Sequence, residues 1–215
     1  MRASERQLLA QEAARLGSSL GDDQVERLAL YVEVLRTWNE RVRLLGDRDP
    51  QVLIRKHIPD CLALVRFLPA VGPLADLGSG AGLPGMVLAC VRIDLECWLI
   101  ESRRRRASFL HAAKASLGLG NVRVVEGRAE NVSGDPSFAS GAEMITARAV
   151  SLQELLRLGL PLIRSKGRLL AMQSQRWTVD ETRLVARQFE VEILDCHEYR
   201  LLDGERRRLV ILGRT

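Results

Sequence analysis

The fold of this chain is decided by the stretch LADLGSGAGLPG, residues Leu74–Gly85. A short apolar run, typical of a buried strand, passes into a glycine-rich turn and then into the start of a helix. Glycines at such a turn let the backbone approach a ligand closely, because no Cβ intervenes and a positive φ costs little. Glu101 ends a second apolar run, where an acid commonly accepts the hydroxyls of an adenosine ribose. The pattern predicts a nucleoside-binding site.

Two nucleoside cofactors fit this turn. Gly80, Gly82 and Gly85 satisfy the G-x-G-x-x-G pattern of dinucleotide-binding proteins, although that pattern alone is weak. Asp76, Gly78, Gly80 and Gly82 also satisfy the pattern acid-x-Gly-x-Gly-x-Gly, which is typical of S-adenosylmethionine sites. An acid at the end of the strand suits a cationic ligand without phosphates, whereas it would repel a pyrophosphate. Together, Asp76 and Glu101 favour S-adenosylmethionine.

Pro84 indicates the same cofactor. A proline near a helix start removes one amide that could otherwise have bound phosphate oxygens. A glycine-rich turn that binds no ligand stays open as a structural alternative.

Composition limits the class of protein. A chain of 215 residues forms one domain, or one domain with an N-terminal extension. No run approaches the ~18 apolar residues of a membrane span, and the N-terminus lacks the apolar core of a signal peptide. We therefore expect a cytoplasmic protein without a membrane partner. The net charge of +5 permits a nucleic-acid partner without demanding one.

Metal binding is not expected. The cysteines are scattered, form no C-x-x-C pair and do not cluster with the histidines; they are Cys61, Cys90, Cys97 and Cys196. Free buried thiols in a reducing compartment are the better interpretation. For the oligomeric state, we expect a monomer.

The periodicity of apolar residues changes once along the chain. Residues 1–68 have helical spacing, including a predicted helix over Val52–Phe67. From Pro73 onward, predicted strands alternate with helices. The predicted strands are Leu74–Leu77, Leu95–Ile100, Val122–Val125, Met144–Ala147, Arg168–Met172, Val191–His197 and Arg208–Leu212. The predicted helices are Gly85–Arg92, Arg103–Leu117, Leu152–Ile163 and Thr178–Gln188.

This alternation predicts an α/β fold with a mostly parallel sheet that is covered on both faces. The loop Arg200–Glu205 is too short for a crossover helix, so the last two strands must pair antiparallel. A seven-stranded sheet that ends in an antiparallel hairpin is expected of a Rossmann-like class I methyltransferase. We expect residues 71–215 to form this domain as one compact unit, and residues 1–70 to form a helical extension.

The chain resembles the RsmG (GidB) family, which methylates guanine N7 in bacterial 16S ribosomal RNA. The resemblance runs nearly end to end and combines the glycine loop with several further motifs. These motifs are Trp38-Asn-Glu, Arg48-Asp-Pro50, His57-Ile-Pro-Asp60, Glu101-Ser102, Arg105-Arg106, Phe109-Leu110, Arg128-Ala-Glu130, Ala147-Arg-Ala149 and Leu202-Asp-Gly-Glu-Arg206. The resemblance implies S-adenosylmethionine as cofactor and the small ribosomal subunit as partner.

The resemblance also assigns roles to residues. It implies that Gly78 and Leu83 are contacts of the cofactor loop. It implies that the segment Ala129–Glu130 brackets the adenine, and that Arg148 is the active-site arginine. His57 and Asp60 are interpreted as a local polar pair on a helix face and are not assigned to the site.

The sequence departs from the family pattern in three places. Arg43-Leu-Leu45 stands where Asn-Leu-Thr is usual, Gln173-Ser174 where Lys-Gly is usual, and Glu101 where Asp is more common. The first two departures concern RNA contacts and leave open an RNA-binding protein without turnover. An NAD-dependent oxidoreductase is the third alternative, but the chain lacks a Tyr-x-x-x-Lys or similar proton donor.

Overall fold

One sheet of seven strands organises the computed structural model, which describes residues 1–46, 49–174 and 177–214. The strands are β1 (Leu74–Leu77), β2 (Cys97–Glu101), β3 (Val122–Glu126), β4 (Ala142–Ala147), β5 (Ile163–Ser174), β6 (Glu192–Arg200) and β7 (Arg206–Gly213). Their order in the sheet is β3-β2-β1-β4-β5-β7-β6. Strand β7 pairs antiparallel with β5 and with β6, whereas the other pairs are parallel. The predicted sheet with its antiparallel hairpin is confirmed.

Helices cover both faces of this sheet. They are α1 (Ala3–Arg15), α2 (Asp22–Asn39), α3 (Pro50–Val52), α4 (Ile58–Leu62), α5 (Gly85–Val91), α6 (Arg104–Leu117), α7 (Ala129–Val132), α8 (Leu152–Gly159) and α9 (Val179–Gln188). A π-helical turn spans Leu53–His57, and 3-10 turns span Val65–Phe67 and Pro136–Phe138.

Alternate side chains of the strands enter two separate cores. In β2, Cys97 and Leu99 belong to one core, whereas Trp98 and Ile100 belong to the other. This alternation follows the pleat, and burial on both sides explains why the central strands are continuously apolar. The first core contains side chains of α1, α2, α4, α5 and α6, and the second contains side chains of α7, α8 and α9.

The N-terminal helices attach directly to the segment that carries the glycine loop. Gln24 donates from Nε2 to the carbonyl of Val91 (2.6 Å). Arg27 donates from Nε to the carbonyl of Cys90 (2.8 Å). Both carbonyls lie in the last turn of α5, where no intrahelical donor remains. The fully buried Tyr31 donates its hydroxyl to the carbonyl of Ala81 in the loop itself (2.6 Å).

Two predicted helices differ from the structure by more than one residue at a boundary. The helix predicted over Val52–Phe67 is divided into α3, the π-helical turn, α4 and a 3-10 turn. Pro59 has no N–H to donate, so a regular ladder of hydrogen bonds cannot run through it, and a wider turn precedes it. Helix α8 ends at Gly159 rather than Ile163, because Pro161 has no N–H with which to continue the helical hydrogen bonds.

Candidate functional site

A cavity of about 450 Å³ lies at the carboxyl ends of β1, β2 and β4. This is the edge at which parallel α/β sheets bind their ligands. Of the nine residues predicted for the site, five line the cavity: Gly78, Glu101, Ala129, Glu130 and Arg148. The other four lie behind it, Asp76 in β1 and Gly80, Gly82 and Leu83 in the turn that follows.

The glycine loop has the backbone that its sequence predicts. Gly78, Gly80 and Gly82 all have positive φ angles, at 69°, 54° and 83°. A Cβ added to Gly78 would meet no atom within 4 Å, so this backbone faces open space. A ligand can therefore approach the main chain at Gly78 without meeting a side chain.

The carboxylate of Glu101 is held from two sides at the end of β2. Its Oε2 accepts from the backbone N–H of Gly80 (2.9 Å), and its Oε1 accepts from that of Arg103 (2.7 Å). The residue is only 4% exposed. Each carboxylate oxygen keeps a second acceptor position, so Glu101 can still accept hydrogen bonds from two ligand hydroxyls.

The side chain of Asp76 turns away from the cavity and into the glycine loop. Its Oδ2 accepts from the backbone N–H of Gly85 (3.0 Å), at the start of α5. Burial raises the pKa of this carboxyl to about 7, because water no longer stabilises the charged form. A Cβ on Gly85 would lie only 2.7 Å from Oδ2. The structure thus gives Asp76 a place in the loop's internal packing, not in the cavity lining.

Gly82 and Leu83 also face the protein interior. A Cβ on Gly82 would lie 2.7 Å from the Cβ of Met86, and Leu83 is 5% exposed within the first core. Gly80 acts on the cavity through its amide, which orients Glu101. These residues determine the shape of the turn from the side that faces the protein interior.

Arg148 follows β4 directly and enters a cluster that the sequence interpretation missed. Its Nε lies 3.2 Å from Oδ2 of Asp60, and its Nη2 lies 2.7 Å from Nδ1 of His57. Because a guanidinium only donates, His57 must accept at Nδ1. The next residue, Ala149, has a φ of 60°, which is uncommon for a residue with a Cβ and is often found at functional sites.

Asp60 is the centre of this cluster. The Tyr199 hydroxyl donates to its Oδ1 (2.7 Å), and Nε of Arg207 lies 3.8 Å from the same oxygen. The carboxylate side chain is 4% exposed. His57 and Asp60 are therefore more than a local pair on a helix face, because both contact Arg148. The signal was their position in one motif of the chain-wide resemblance.

The departures from the family pattern fall in different places. Gln173 is buried, accepts at Oε1 from the Thr182 hydroxyl (3.2 Å), and does not line the cavity. Arg43 and Leu45, in contrast, line a second cavity beside the π-helical turn. Arg48, part of the Arg-Asp-Pro motif, lies outside the described residues.

Within residues 1–46, 49–174 and 177–214, no helix is both long and apolar enough to cross a membrane. No group of three or more His, Cys, Asp or Glu side chains there is arranged to hold a metal ion.

Comparison with known sequences gives consistent matches. A family model described as "rRNA small subunit methyltransferase G" (GidB) matches residues 24–210. The Ribosomal RNA small subunit methyltransferase G of Halorhodospira halophila is 37% identical over 192 residues, which cover 89% of this chain and 88% of that protein. The protein of the same name from Desulfitobacterium hafniense is 33% identical over 205 residues, which cover 94% of this chain and 85% of that protein.

Solved structures share the fold at low sequence identity. M. jannaschii TYW2 in complex with AdoMet has a TM-score of 0.58 at 12% identity, covering 74% of this chain and 76% of that chain. The ribosomal protein L11 methylase of Lactobacillus delbrueckii subsp. bulgaricus also has a TM-score of 0.58, at 11% identity, with coverage of 80% and 81%. At this identity the likeness concerns the fold, which is that of class I methyltransferases.

Proposed function

Since the chain belongs to the rRNA small subunit methyltransferase G family, we propose that it transfers a methyl group from S-adenosylmethionine to guanine N7 of 16S ribosomal RNA. The observation that carries the proposal is the meeting of Gly78, Glu101 and Arg148 around one cavity. The small ribosomal subunit or its RNA is the substrate, and the cytoplasm is the place of action. The active form is a monomer.

The cavity suits a nucleoside cofactor. Its volume of about 450 Å³ lies within the usual range for small-molecule sites. Glu101 would accept the two ribose hydroxyls, the open backbone at Gly78 would allow close approach, and Ala129 with Glu130 would border the adenine.

The reaction needs little acid–base chemistry. S-adenosylmethionine supplies an electrophilic methyl group when it is bound. Guanine N7 has a free lone pair and no proton to lose, so the protein needs no general base. The residues of the site therefore act by holding the base in line with the methyl group and by excluding water.

Arg148 is the residue to which we assign the orientation of the target base. Its guanidinium is held by His57 and Asp60, so its direction is fixed before substrate binds. A fixed donor loses little conformational freedom when it binds an acceptor such as the guanine O6. Guanine N7 faces the deep, narrow major groove of an RNA helix. The target must therefore lie in a loop or rotate out of its stack.

The two alternatives are less well supported. The alternative of an RNA-binding protein without turnover rests partly on Gln173, which stands where lysine is usual in the family. Gln173 packs against Thr182 and does not line the cavity. An NAD-dependent oxidoreductase conflicts with the family match.

The test is methyl transfer to small subunits from a strain that lacks this protein. The purified chain and labelled S-adenosylmethionine should produce N7-methylguanine in 16S RNA, detected by nuclease digestion and mass spectrometry. Naked RNA, partly assembled subunits and complete subunits should be compared. Calorimetry with S-adenosylmethionine and NAD separates the cofactors. Binding of S-adenosylmethionine with no methylation of any substrate would support the protein without turnover instead.

A further inference from the structure

A second cavity adjoins the cofactor cavity and has no role in the chemistry above. Its volume is about 590 Å³, and it lies between the end of α2, the following loop and the π-helical turn. His57 lines this second cavity and Arg148 lines the first, and the two side chains are 2.7 Å apart. The pair therefore forms a wall that the two cavities share.

The second cavity is lined by arginines that have no carboxylate partner among the described residues. Arg36, Arg41 and Arg43 line it, and within the described ranges none of them forms an ion pair with a carboxylate. The acids Glu40 and Asp49 also line it, so the cavity is mildly rather than strongly basic. Exposed arginines with free forks suit phosphate groups, which they bind bidentately.

Asn39 adds an oriented polar group. Its Oδ1 accepts from the backbone N–H groups of Leu44 and Leu45, each at 2.9 Å. These two bonds fix the amide, so Nδ2 is the end that remains as a donor. An oriented donor beside three guanidiniums suits a ligand that is rich in acceptors, such as a nucleotide.

We propose that this second cavity binds the ribosomal RNA strand next to the methylated guanine, with Arg41 and Arg43 on its phosphates. The inference rests on the proposed function and names a substrate site for it. The target base would lie at the His57–Arg148 wall, while its neighbours in the strand fill the second cavity. A strand that leaves its helix at the target base needs such a place for its phosphates.

The experiment compares two double variants. Arg41→Ala/Arg43→Ala removes two charges from the second cavity. The matched control, Arg168→Ala/Arg187→Ala, removes two exposed charges from β5 and α9, away from both cavities. Calorimetry with S-adenosylmethionine verifies that each variant keeps its fold and cofactor affinity. Binding of a 16S RNA fragment is then measured over a range of salt concentrations.

We expect the cavity variant to bind this RNA at least about tenfold more weakly, with the slope of log K against log salt reduced by roughly 1.4. This is about 0.7 for each lost phosphate contact. The control should keep the wild-type slope. Equal RNA affinity and slope in the cavity variant and the wild type would overturn the inference, as would an equal loss in the control. Wild-type protein that does not bind the fragment would overturn it too.

This experiment measures RNA binding, which does not depend on turnover. If the wild type binds RNA through this cavity but methylates no substrate, the proposed function fails and the binding site stands. If the wild type methylates its substrate and the cavity variant has an unchanged KM for RNA, the site fails and the function stands.

Discussion

The Nε atom of Arg148 lies 3.2 Å from Oδ2 of Asp60, although 88 residues separate the two along the chain. The contact joins the carboxyl end of β4 to α4, and the carboxylate at its centre is almost fully buried. A buried carboxylate needs compensating donors. The position of Arg148 is thus determined by a part of the chain that precedes the whole sheet.

Replacement of Arg148 by alanine should lower kcat at least tenfold while leaving the affinity for S-adenosylmethionine within about threefold. The same change should lower the free energy of unfolding by about 1–3 kcal/mol, because Asp60 loses a buried partner. Arg148→Lys is the control, since it keeps the charge and loses the planar fork. Methylation kinetics and urea unfolding measure the two effects. Wild-type turnover in Arg148→Ala would remove this residue from the site.

Tyr199→Phe should test the far side of the same cluster. The variant loses only the hydroxyl that donates to Oδ1 of Asp60. We expect the free energy of unfolding to fall by about 0.5–1.5 kcal/mol, the usual net value of one hydrogen bond. If Tyr199 positions Arg148 through Asp60, kcat should fall while cofactor affinity stays constant. A loss of stability with unchanged kcat would limit Tyr199 to a structural role.

Glu101→Ala should weaken S-adenosylmethionine binding by about 1.5–3 kcal/mol, the cost of lost hydrogen bonds to a charged group. The carboxylate also holds the amide of Gly80, so part of the loss should come from a looser loop. Glu101→Asp keeps the charge on a shorter side chain and should bind more tightly than the alanine variant. Calorimetry provides the measurement, and equal affinities of the wild type and Glu101→Ala would exclude a ribose contact.

Gly85→Ala should destabilise the fold. The added Cβ would lie 2.3 Å from Cδ2 of Leu99 and close to the Asp76 carboxylate. Overpacking of this kind costs about 1–3 kcal/mol. The matched control is Gly120→Ala, where a Cβ would meet nothing within 4 Å, so its stability should stay within about 0.5 kcal/mol of wild type. Thermal unfolding measures the stability of both variants. A Gly85→Ala protein as stable as the wild type would contradict the packing described for this turn.

The Asp76 carboxyl should make the stability of the ligand-free protein depend on pH. Its pKa is about 7 in the folded state, well above the ordinary value of 3.8, because it is buried. Between about pH 4 and pH 7 the folded protein keeps a proton that the unfolded chain has released, so stability falls as pH rises through this window. Above about pH 7, this loss of stability no longer changes with pH.

Asp76→Asn should remove this part of the pH dependence. The amide oxygen can still accept from Gly85, and the side chain carries no charge. Relative to wild type, the variant should therefore gain stability on going from about pH 5 to about pH 8. Urea unfolding at both pH values measures the difference. A wild type and variant with the same change in stability over this range would show that Asp76 does not titrate in it.

The sheet could be predicted because short stretches of neighbouring residues indicate its strands and its hairpin. Each central strand is a short apolar run, and the loop Arg200–Glu205 is too short for any connection but a hairpin. The same local reasoning failed at Ile163, which begins β5: the apolar run Leu160–Ile163 has the composition of a helix end as well as of a strand start. Pro161 is the signal that separates the two, because it has no N–H to continue the helix. The division into residues 1–70 and 71–215 stays a prediction.

The site could be predicted only where a motif is continuous. The glycine loop and Glu101 come close together in sequence, and their spacing indicates a nucleoside site. The contact between Asp60 and Arg148 depends on how α4 packs against the sheet, which no spacing reveals. The π-helical turn that brings His57 to Arg148 likewise has no sequence signature beyond the nearby Pro59.

The attachment of α2 to the glycine loop has a consequence for biosynthesis. Three side chains of α2 leave the translating ribosome before the carbonyl groups that they bind have been made. The pairs are Gln24 with Val91, Arg27 with Cys90 and Tyr31 with Ala81. The apolar sides of α1 and α2 find their partners only once α5 and α6 have emerged. Until then these helices expose surface that chaperones recognise. A pause in translation before residue 117 would therefore prolong the period in which the nascent chain is prone to aggregate.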